Sequence, residues 1–171
     1  MAHVVETGAG LSDANAYLSL ADAVLYFADH ANAAWTSTDA AKEAAIRAAT
    51  QYLDAYYHLF WKGDKKLSTQ ALDWPRAGVC DENHYPIASD SLPTKLKEAC
   101  AEMAVRALTE SLLPDVAPAS SGALISKSVE VGPISVSKTW AGSGQSTTKY
   151  YRIADLLLAD LVLDSNALIR A

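Results

Sequence analysis

Apolar positions recur with the period of an α-helix of about six turns between Ala40 and Phe60. The threonines of Thr36–Thr38, followed by an aspartate, provide a start signal for this helix. Its predicted apolar stripe consists of Ile46, Ala49, Leu53, Tyr56 or Tyr57, and Phe60. The residues expected on the opposite side are Lys42, Glu43, Arg47 and Asp54. Because the chain contains 32 alanines, closely packed helices are expected to form the core.

Two more helices are predicted on either side of a long central segment. A capping box over Ser19–Asp22 begins the first. Its expected inner side consists of Leu20, Val24, Phe27 and Ala28 or Ala31. The other begins near Ser91, carries Pro93 in its first turn and ends at Pro114. Its expected buried stripe consists of Leu96, Ala99 or Cys100, Met103 and Ala107.

In the C-terminal third of the chain, the spacing of the apolar residues changes from the helical period to a period of two. Apolar residues alternate with polar ones on both sides of Gly132–Pro133, which predicts a β-hairpin. Its alternating apolar residues are Ile125, Val129, Val131, Ile134 and Val136. An isolated hairpin is marginally stable in water, so this one is expected to lie against another surface. A short final helix is predicted from Arg152, with Ile153, Leu156, Leu157 and Leu161 aligned and an apolar tail beyond it.

These elements predict a mainly α fold: a small helical bundle core with a long ordered loop, a β-hairpin arm and a C-terminal helix with a tail. The predicted core covers residues 1–113 and includes the loop at 61–91. A linker at 114–123 leads to the hairpin arm at 124–140. Residues 141–171 are expected to form a flexible connector, the last helix and the tail.

Charge and cysteine content exclude several classes of protein. A net charge of −6 argues against a general polyphosphate or nucleic-acid binder, although a local basic strip remains compatible with it. Cys80 and Cys100 show no paired spacing, so two reduced thiols are expected. The N-terminus does not resemble a signal peptide, and no apolar run approaches the ~20 residues of a membrane span. A soluble protein made in a cytoplasm, with no membrane partner, is therefore expected.

Motifs of catalysis and cofactor binding are missing. The glycines Gly8 and Gly10 follow no convincing strand, and the Gly142–Lys149 segment lacks the glycine that precedes the lysine of a phosphate loop. Asp81, Glu82 and His84 form the most metal-like cluster, but their spacing fits neither a zinc nor a calcium site. We therefore expect no enzyme activity, no cofactor and no metal, and keep an unrecognised enzyme as the least favoured of three hypotheses.

The long segment after Phe60 carries the most unusual composition. Its indoles and cations are Trp61, Lys62, Lys65, Lys66, Trp74 and Arg76. Such residues stack on single-stranded bases and follow a phosphate backbone, which is one interpretation. The other, which we favour, is that Pro75 holds Trp74 extended and the indole packs on the helical core. Arg76 would then pair with an acidic neighbour or stack on an indole.

Nearly the whole chain resembles a family of small tailed-phage proteins. The resemblance rests on VVETGAGLSDANAYLSLADAVLYF, AAKEAAIRAATQYLD, WKGDKKLSTQALDWPRAGV, LPTKLKEACAEMAVRAL and VGPISVSK, of which the block with WKG and QALDWPRAG is the most specific. Members lie among head-morphogenesis genes and are often labelled DnaT-like single-stranded DNA-binding proteins. In architecture they are similar to head-to-tail connector, or adaptor, proteins.

The resemblance implies a structural virion protein in the neck of the particle, assembled in the host cytoplasm. Its partners would be further copies of itself in a ring, typically twelvefold, the portal protein, a downstream tail or neck protein, and DNA that passes through the lumen without sequence-specific binding. A single-stranded DNA-binding function is the alternative. The candidate interface or loop-anchoring residues are Trp61, Lys62, Trp74, Pro75, Arg76, Ile134, Val136, Leu156, Leu157 and Leu161.

Overall fold

The computed structural model describes residues 2–113 and 151–163, together with the backbone of two strands at 126–131 and 134–139. Its helices are α1 (Leu20–Asp29), α2 (Asp39–Tyr57), α3 (Thr94–Ala107) and α4 (Arg152–Leu158). Its strands are β1 (Asp64–Lys65), β2 (Arg76–Ala77), β3 (Ser126–Val131) and β4 (Ile134–Thr139). The predicted mainly α fold with a small β arm is confirmed.

Helix α2 forms the centre of the core. Thr38 caps its N-terminus by accepting a hydrogen bond from the Ala41 N–H. The predicted stripe is buried at Ile46, Ala49, Leu53 and Tyr57. The helix ends at Tyr57 rather than at Phe60, because the chain turns there to bring Trp61 beside Val162.

Helix α1 contacts α2 and α3. The predicted cap is confirmed, since the Ser19 hydroxyl accepts a hydrogen bond from the Asp22 N–H. The predicted inner side is only partly correct: Phe27 is buried, but Val24 is 45% exposed. Only Ala23 and Phe27, which are four residues apart, are buried along this helix, so its buried stripe is narrower than the sequence pattern suggested.

Helix α3 packs along α2, and its predicted stripe is buried at Leu96, Ala99, Cys100 and Met103. Ala107 is only partly buried. The helix ends at Ala107, well before Pro114, because the Arg106 carbonyl accepts hydrogen bonds from the N–H groups of Thr109 and Glu110 in a tightened last turn.

Helix α4 belongs to the helical core, whereas the sequence placed it with a flexible connector outside residues 1–113. It packs against α3, and residues 1–112 form one compact unit with the segment that starts at Tyr151. Ala154 and Leu158 are its buried residues, so the predicted stripe is wrong at Leu156, which is 63% exposed. Ala154 and Leu158 lie on the side of α4 that faces α3. Leu156 is two residues from each of them, which is about 200° of helical rotation, so it lies on the opposite side of the helix.

The chain after α4 runs beside the start of the long loop. Trp61 and Val162 form an antiparallel bridge. The Leu163 N–H donates to the Phe60 carbonyl at 2.7 Å, and the Lys62 N–H donates to the Leu161 carbonyl at 3.0 Å. These bonds enclose Leu161 and leave Leu163 exposed.

Strands β3 and β4 form the predicted hairpin within a separate unit that spans residues 113–150. They pair antiparallel, with Val129 opposite Val136 and Val131 opposite Ile134. The predicted turn at 132–133, the linker at 114–123 and the connector after residue 140 lie outside the described residues. Among those that are described, no helix has the length and apolar character needed to cross a bilayer.

The N-terminal glycines enclose a buried carboxylate. Oε1 of Glu6 accepts hydrogen bonds from the N–H groups of Gly8 and Gly10 at 2.8 and 2.9 Å, and Oε2 accepts one from Leu11 at 2.8 Å. Gly8 has a φ of +102°, and a Cβ there would lie 2.1 Å from the Asp90 carbonyl oxygen. These glycines therefore form a structural turn around an internal anion.

We expect Glu6→Gln to lower the free energy of unfolding by about 2 kcal/mol, because a neutral amide loses the charge-assisted bonds and presents an N–H group to a backbone donor. Urea denaturation measures this change. Glu43→Gln, a partly exposed position on α2, is the matched control and should change stability by less than about 0.5 kcal/mol. Equal effects of the two substitutions would contradict the assignment.

Candidate functional site

The two tryptophans of the long loop are part of the core. Trp74 is fully buried and Trp61 is 4% exposed. Their rings meet edge to face with centroids 5.8 Å apart, and Tyr57 lies 5.4 Å from Trp61 in the same cluster. The packed interpretation of Trp74 is confirmed, and neither indole presents a face on which a base stacks. Pro75, also buried, follows Trp74 through a cis peptide bond.

Arg76 binds backbone carbonyls rather than an acidic side chain or an indole, so both predicted partners are wrong. Its Nε donates to the Lys62 carbonyl at 2.7 Å, and its two terminal nitrogens donate to the carbonyls of Asp73 and Gly63. The short strands β1 and β2 pair with each other at the same position in the loop, and Arg76 is part of β2. Strands of two residues have no detectable period, which is why the sequence did not reveal this ladder.

The three lysines of this segment also make internal contacts. Lys62 Nζ donates to the Asp160 carbonyl at 2.7 Å, and Lys66 Nζ donates to the Gly8 carbonyl at 2.9 Å. Lys65 Nζ lies 3.3 Å from Oδ1 of Asp73. Lys62 and Lys66 therefore hold together parts of the chain that are distant in sequence, whereas Lys65 makes a contact within the loop. The loop-anchoring interpretation fits Trp61, Lys62, Trp74, Pro75 and Arg76.

A polar network joins the loop to α2 and to the N-terminal segment. The Tyr17 hydroxyl donates a hydrogen bond to Oδ1 of Asp54. It accepts one from the backbone N–H of Trp74 at 3.1 Å. Oδ2 of Asp54 accepts the Asp73 N–H at 3.2 Å. Asp73 is itself paired with His58, whose Nδ1 lies 2.8 Å from Oδ2. Sequence periodicity placed Asp54 on the solvent side and missed this role, because the loop returns over that side of the helix.

Burial raises the pKa of Asp54 from 3.8 to about 6, and the hydrogen bond from Tyr17 opposes the shift. Burial also raises the pKa of Tyr17, and the neighbouring Asp54 charge adds to that effect. The Tyr17 hydroxyl therefore stays protonated as a donor, whereas Asp54 titrates in the mildly acidic range.

Gln70 is a further loop anchor that the sequence did not single out. Its Nε2 donates to the carbonyls of Leu72 and Pro75 at 2.8 and 3.0 Å, and its Oε1 accepts the Leu67 N–H. The buried amide thus bonds three backbone groups of the turn, of which the Pro75 carbonyl also accepts the Lys66 N–H.

An open groove of about 900 Å³ runs along the outer side of α2, beside this network. Its apolar lining includes Ala44, Ala48, Ala55, Ala71 and Leu72. Arg47 lies toward one end, and Asp54, His58 and Lys65 lie toward the other. Nη1 of Arg47 is buried and has no hydrogen-bond partner, and its ion pair with Glu43 spans 3.9 Å.

The acidic turn at Asp81, Glu82 and His84 is the cluster in the sequence that most resembles a metal site. Its Asp81 carboxylate forms hydrogen bonds within the turn. Oδ1 of Asp81 accepts the N–H groups of Asn83 and Tyr85 at 2.9 and 2.8 Å. Within the described part of the chain, no three or more histidine, cysteine, aspartate or glutamate residues converge as metal ligands would.

The remaining predicted interface residues divide by position. Leu161 is buried, Leu157 is partly buried, and Leu156 is exposed on α4. Ile134 and Val136 lie on β4, opposite Val131 and Val129. Leu161 belongs to the same buried core as Trp61 and Trp74, and Leu157 packs against that core.

We expect Trp74→Ala to destabilise the fold by about 3–5 kcal/mol, because it leaves a large cavity between the loop and the helices. Chemical denaturation followed by circular dichroism measures the loss. Leu25→Ala, at a position that is 63% exposed, should change stability by no more than about 0.5 kcal/mol. A folded Trp74→Ala protein of unchanged stability would show that the indole is not a structural anchor.

The titration of Asp54 should appear in the pH dependence of stability. Its pKa in the folded state is about 6, above the ordinary value of 3.8, so its stabilising contribution is complete below about pH 4 and is lost as the pH rises through 6. The loss amounts to about 3 kcal/mol at most. In Asp54→Asn, the free energy of unfolding should change less between pH 4 and pH 7 than in the parent. Asp29→Asn, at an exposed carboxyl, should leave the profile unchanged, and an identical profile for Asp54→Asn would contradict the assignment.

Comparison with known proteins gave one family. No curated protein sequence and no solved structure matched the chain. A family model described as "Putative DnaT-like ssDNA binding protein" matches residues 1–171. Since the match covers the whole chain, the protein belongs to this DnaT-like family.

Proposed function

We propose that the protein is a structural subunit of a head-to-tail connector, which assembles into a ring between the portal and the tail of a phage particle. The observation that supports this most directly is the internal use of the WKG and QALDWPRAG residues. Trp61 and Trp74 pack in the core, and Lys62, Lys66 and Arg76 donate to backbone carbonyls. The block that looked most like a DNA-binding platform is therefore the scaffold of the subunit, and its task is geometric rather than catalytic.

The overall charge supports a conduit rather than a tight DNA binder. Affinity for DNA comes mainly from cations that neutralise phosphates, and the chain has a net charge of −6. A lumen that held DNA strongly would hinder its passage. The acidic subunit suits a channel that DNA traverses without sequence-specific contact.

Two features support assembly with other chains. The hairpin is a two-stranded ribbon within its own unit, and ribbons of this size need a surface to pack against. Leu59 and Leu163, which are 80% and 56% exposed, occur beside the Phe60–Leu163 hydrogen bond. Exposed leucines that cluster in this way are typical of contact surfaces. We assign this end of α2 to contact with the portal or a neck protein, and the hairpin to contact with an adjacent subunit.

Single-stranded DNA binding is the second candidate, and the family description favours it. Its site would then lie away from Trp61 and Trp74. The register of the hairpin puts Lys127 directly opposite Lys138, and Trp140 follows in the sequence. Paired cations next to an aromatic residue suit a single strand, so the hairpin is where such a site would be sought.

One titration separates the two functions. A labelled single-stranded oligonucleotide is mixed with the protein across a salt series and followed by fluorescence anisotropy, while light scattering reports the size of the protein alone. The connector function predicts no salt-sensitive binding and a mass that rises with protein concentration. Micromolar or tighter binding that weakens steeply with salt, from a chain that stays monomeric, would overturn it in favour of the second candidate. Lys127→Ala with Lys138→Ala should then abolish binding without unfolding the core.

A further inference from the structure

Helix α1 carries more apolar residues than it buries. Its sequence, LADAVLYFAD, contains only two charged residues and no other polar side chain except the hydroxyl of Tyr26, yet only Ala23 and Phe27 are buried. A helix that is apolar around most of its circumference is normally enclosed by other elements. Because α1 uses a narrow side for its contacts with α2 and α3, a second apolar surface remains on this helix.

The second apolar surface of α1 is a stripe formed by Ala21, Val24, Leu25 and Ala28, which are all exposed. Their spacings of three, four and seven residues place them on one side of the helix. At a rotation of about 100° per residue, this α1 stripe lies roughly 130° from the buried line of Ala23 and Phe27. Adjacent exposed aliphatic side chains of this kind are typical of a contact surface.

An acidic edge runs along one side of the α1 stripe. Asp22 and Asp29 are exposed, lie seven residues apart and follow Leu25 around the helix by roughly 40–60°. Among the described residues, neither carboxylate takes part in an ion pair. Helix α1 contains no lysine or arginine. The charge of this edge is therefore uncompensated within the helix.

The C-terminal end of α1 attracts a cation for a second reason. Asp29 lies where the helix dipole is already negative, and the last turn has no basic residue. The next residue, His30, stacks on Tyr26 and donates from Nδ1 to the Tyr26 carbonyl at 2.8 Å. On α3, in contrast, the Glu102 carboxylate is paired with Arg106 at 2.9 Å. A cation that approaches the α1 stripe from outside would meet the Asp29 charge and the helix dipole together.

We propose that the α1 stripe binds a helix of a partner protein that has its own apolar stripe and, along one edge, lysine or arginine residues seven positions apart. The apolar stripes would pack together, and the basic edge would meet Asp22 and Asp29. A second copy of α1 fits less well, because this helix supplies no countercharge. The inference goes beyond the proposed function, which assigns no contact to α1.

A synthetic peptide tests the contact with the full chain. The probe is a fluorescent helical peptide of about 20 residues, with leucines three and four positions apart on one side and lysines seven positions apart along one edge. Anisotropy should show saturable binding. Leu25→Gln should weaken it by about tenfold, because a polar side chain replaces the largest one of the stripe. Leu156→Gln on α4 is the matched control, since both leucines are 63% exposed, and should change the affinity by less than about twofold.

A charge exchange provides the second readout. A peptide with glutamate in place of each lysine should bind the parent protein at least about tenfold more weakly than the lysine peptide. Asp22→Lys combined with Asp29→Lys should reverse this preference, because the edge then attracts the glutamates. An unspecific apolar contact would not follow the sign of the charge. Circular dichroism checks that each variant is folded.

Each outcome decides the inference. Binding of the lysine peptide that depends on Leu25 and reverses with the charge exchange supports it. Binding that is indifferent to Leu25→Gln or to the charge exchange overturns it, as does the absence of binding at the highest soluble concentration. If neither peptide binds and Leu25→Gln instead lowers the mass of the protein in light scattering, α1 contacts another copy of the chain, and the basic partner is overturned.

Discussion

The rest of the structure depends on the complete burial of the Trp74 indole. A side chain of this size contributes several kcal/mol when it leaves water, which is comparable with the whole net stability of a domain. Trp74 reaches the core only if the chain after Phe60 turns back across α2 and the N-terminal segment. The short ladder of β1 and β2, the carbonyl contacts of Arg76 and the amide of Gln70 hold the loop in that path.

Three carboxylates of the helical unit, two of them buried and the third, Asp54, partly buried, are each stabilised differently. Glu6 accepts backbone N–H groups, Asp73 is paired with His58 and Lys65, and Asp54 accepts a tyrosine hydroxyl and one backbone N–H. Asp54 has no cation in direct contact among the described residues and accepts only two hydrogen bonds, so burial dominates its titration. It also lines the groove, so a cation that enters there would meet a carboxylate that forms no ion pair among the described residues.

The loop after Phe60 uses its two indoles and three lysines internally, so this loop presents little for a single strand of DNA to hold. What the fold does present, among the described residues, is an alanine-lined groove, a few exposed leucines and a two-stranded ribbon. Such surfaces suit contacts between proteins. Membership of a family described by DNA binding and a geometry suited to assembly are compatible if the DNA is enclosed by the assembly rather than gripped by one subunit.

Local patterns in the sequence were enough to predict most of the secondary-structure elements. The three longer helices, two of the caps, most of the buried stripes and the hairpin follow from patterns that repeat within a few residues, and steric and hydrophobic periodicity is local. The sequence also favoured a packed Trp74 over one that stacks on bases, because the net negative charge of the chain argues against a strong DNA binder. The pairing of distant polar groups became visible only in the fold: Tyr17 meets the backbone of Trp74, 57 residues away, and Lys62 meets the backbone of Asp160, 98 residues away. The fold likewise placed α4 in the core and Asp54 under the loop. Contacts between distant segments depend on the path of the whole chain, which no local pattern encodes.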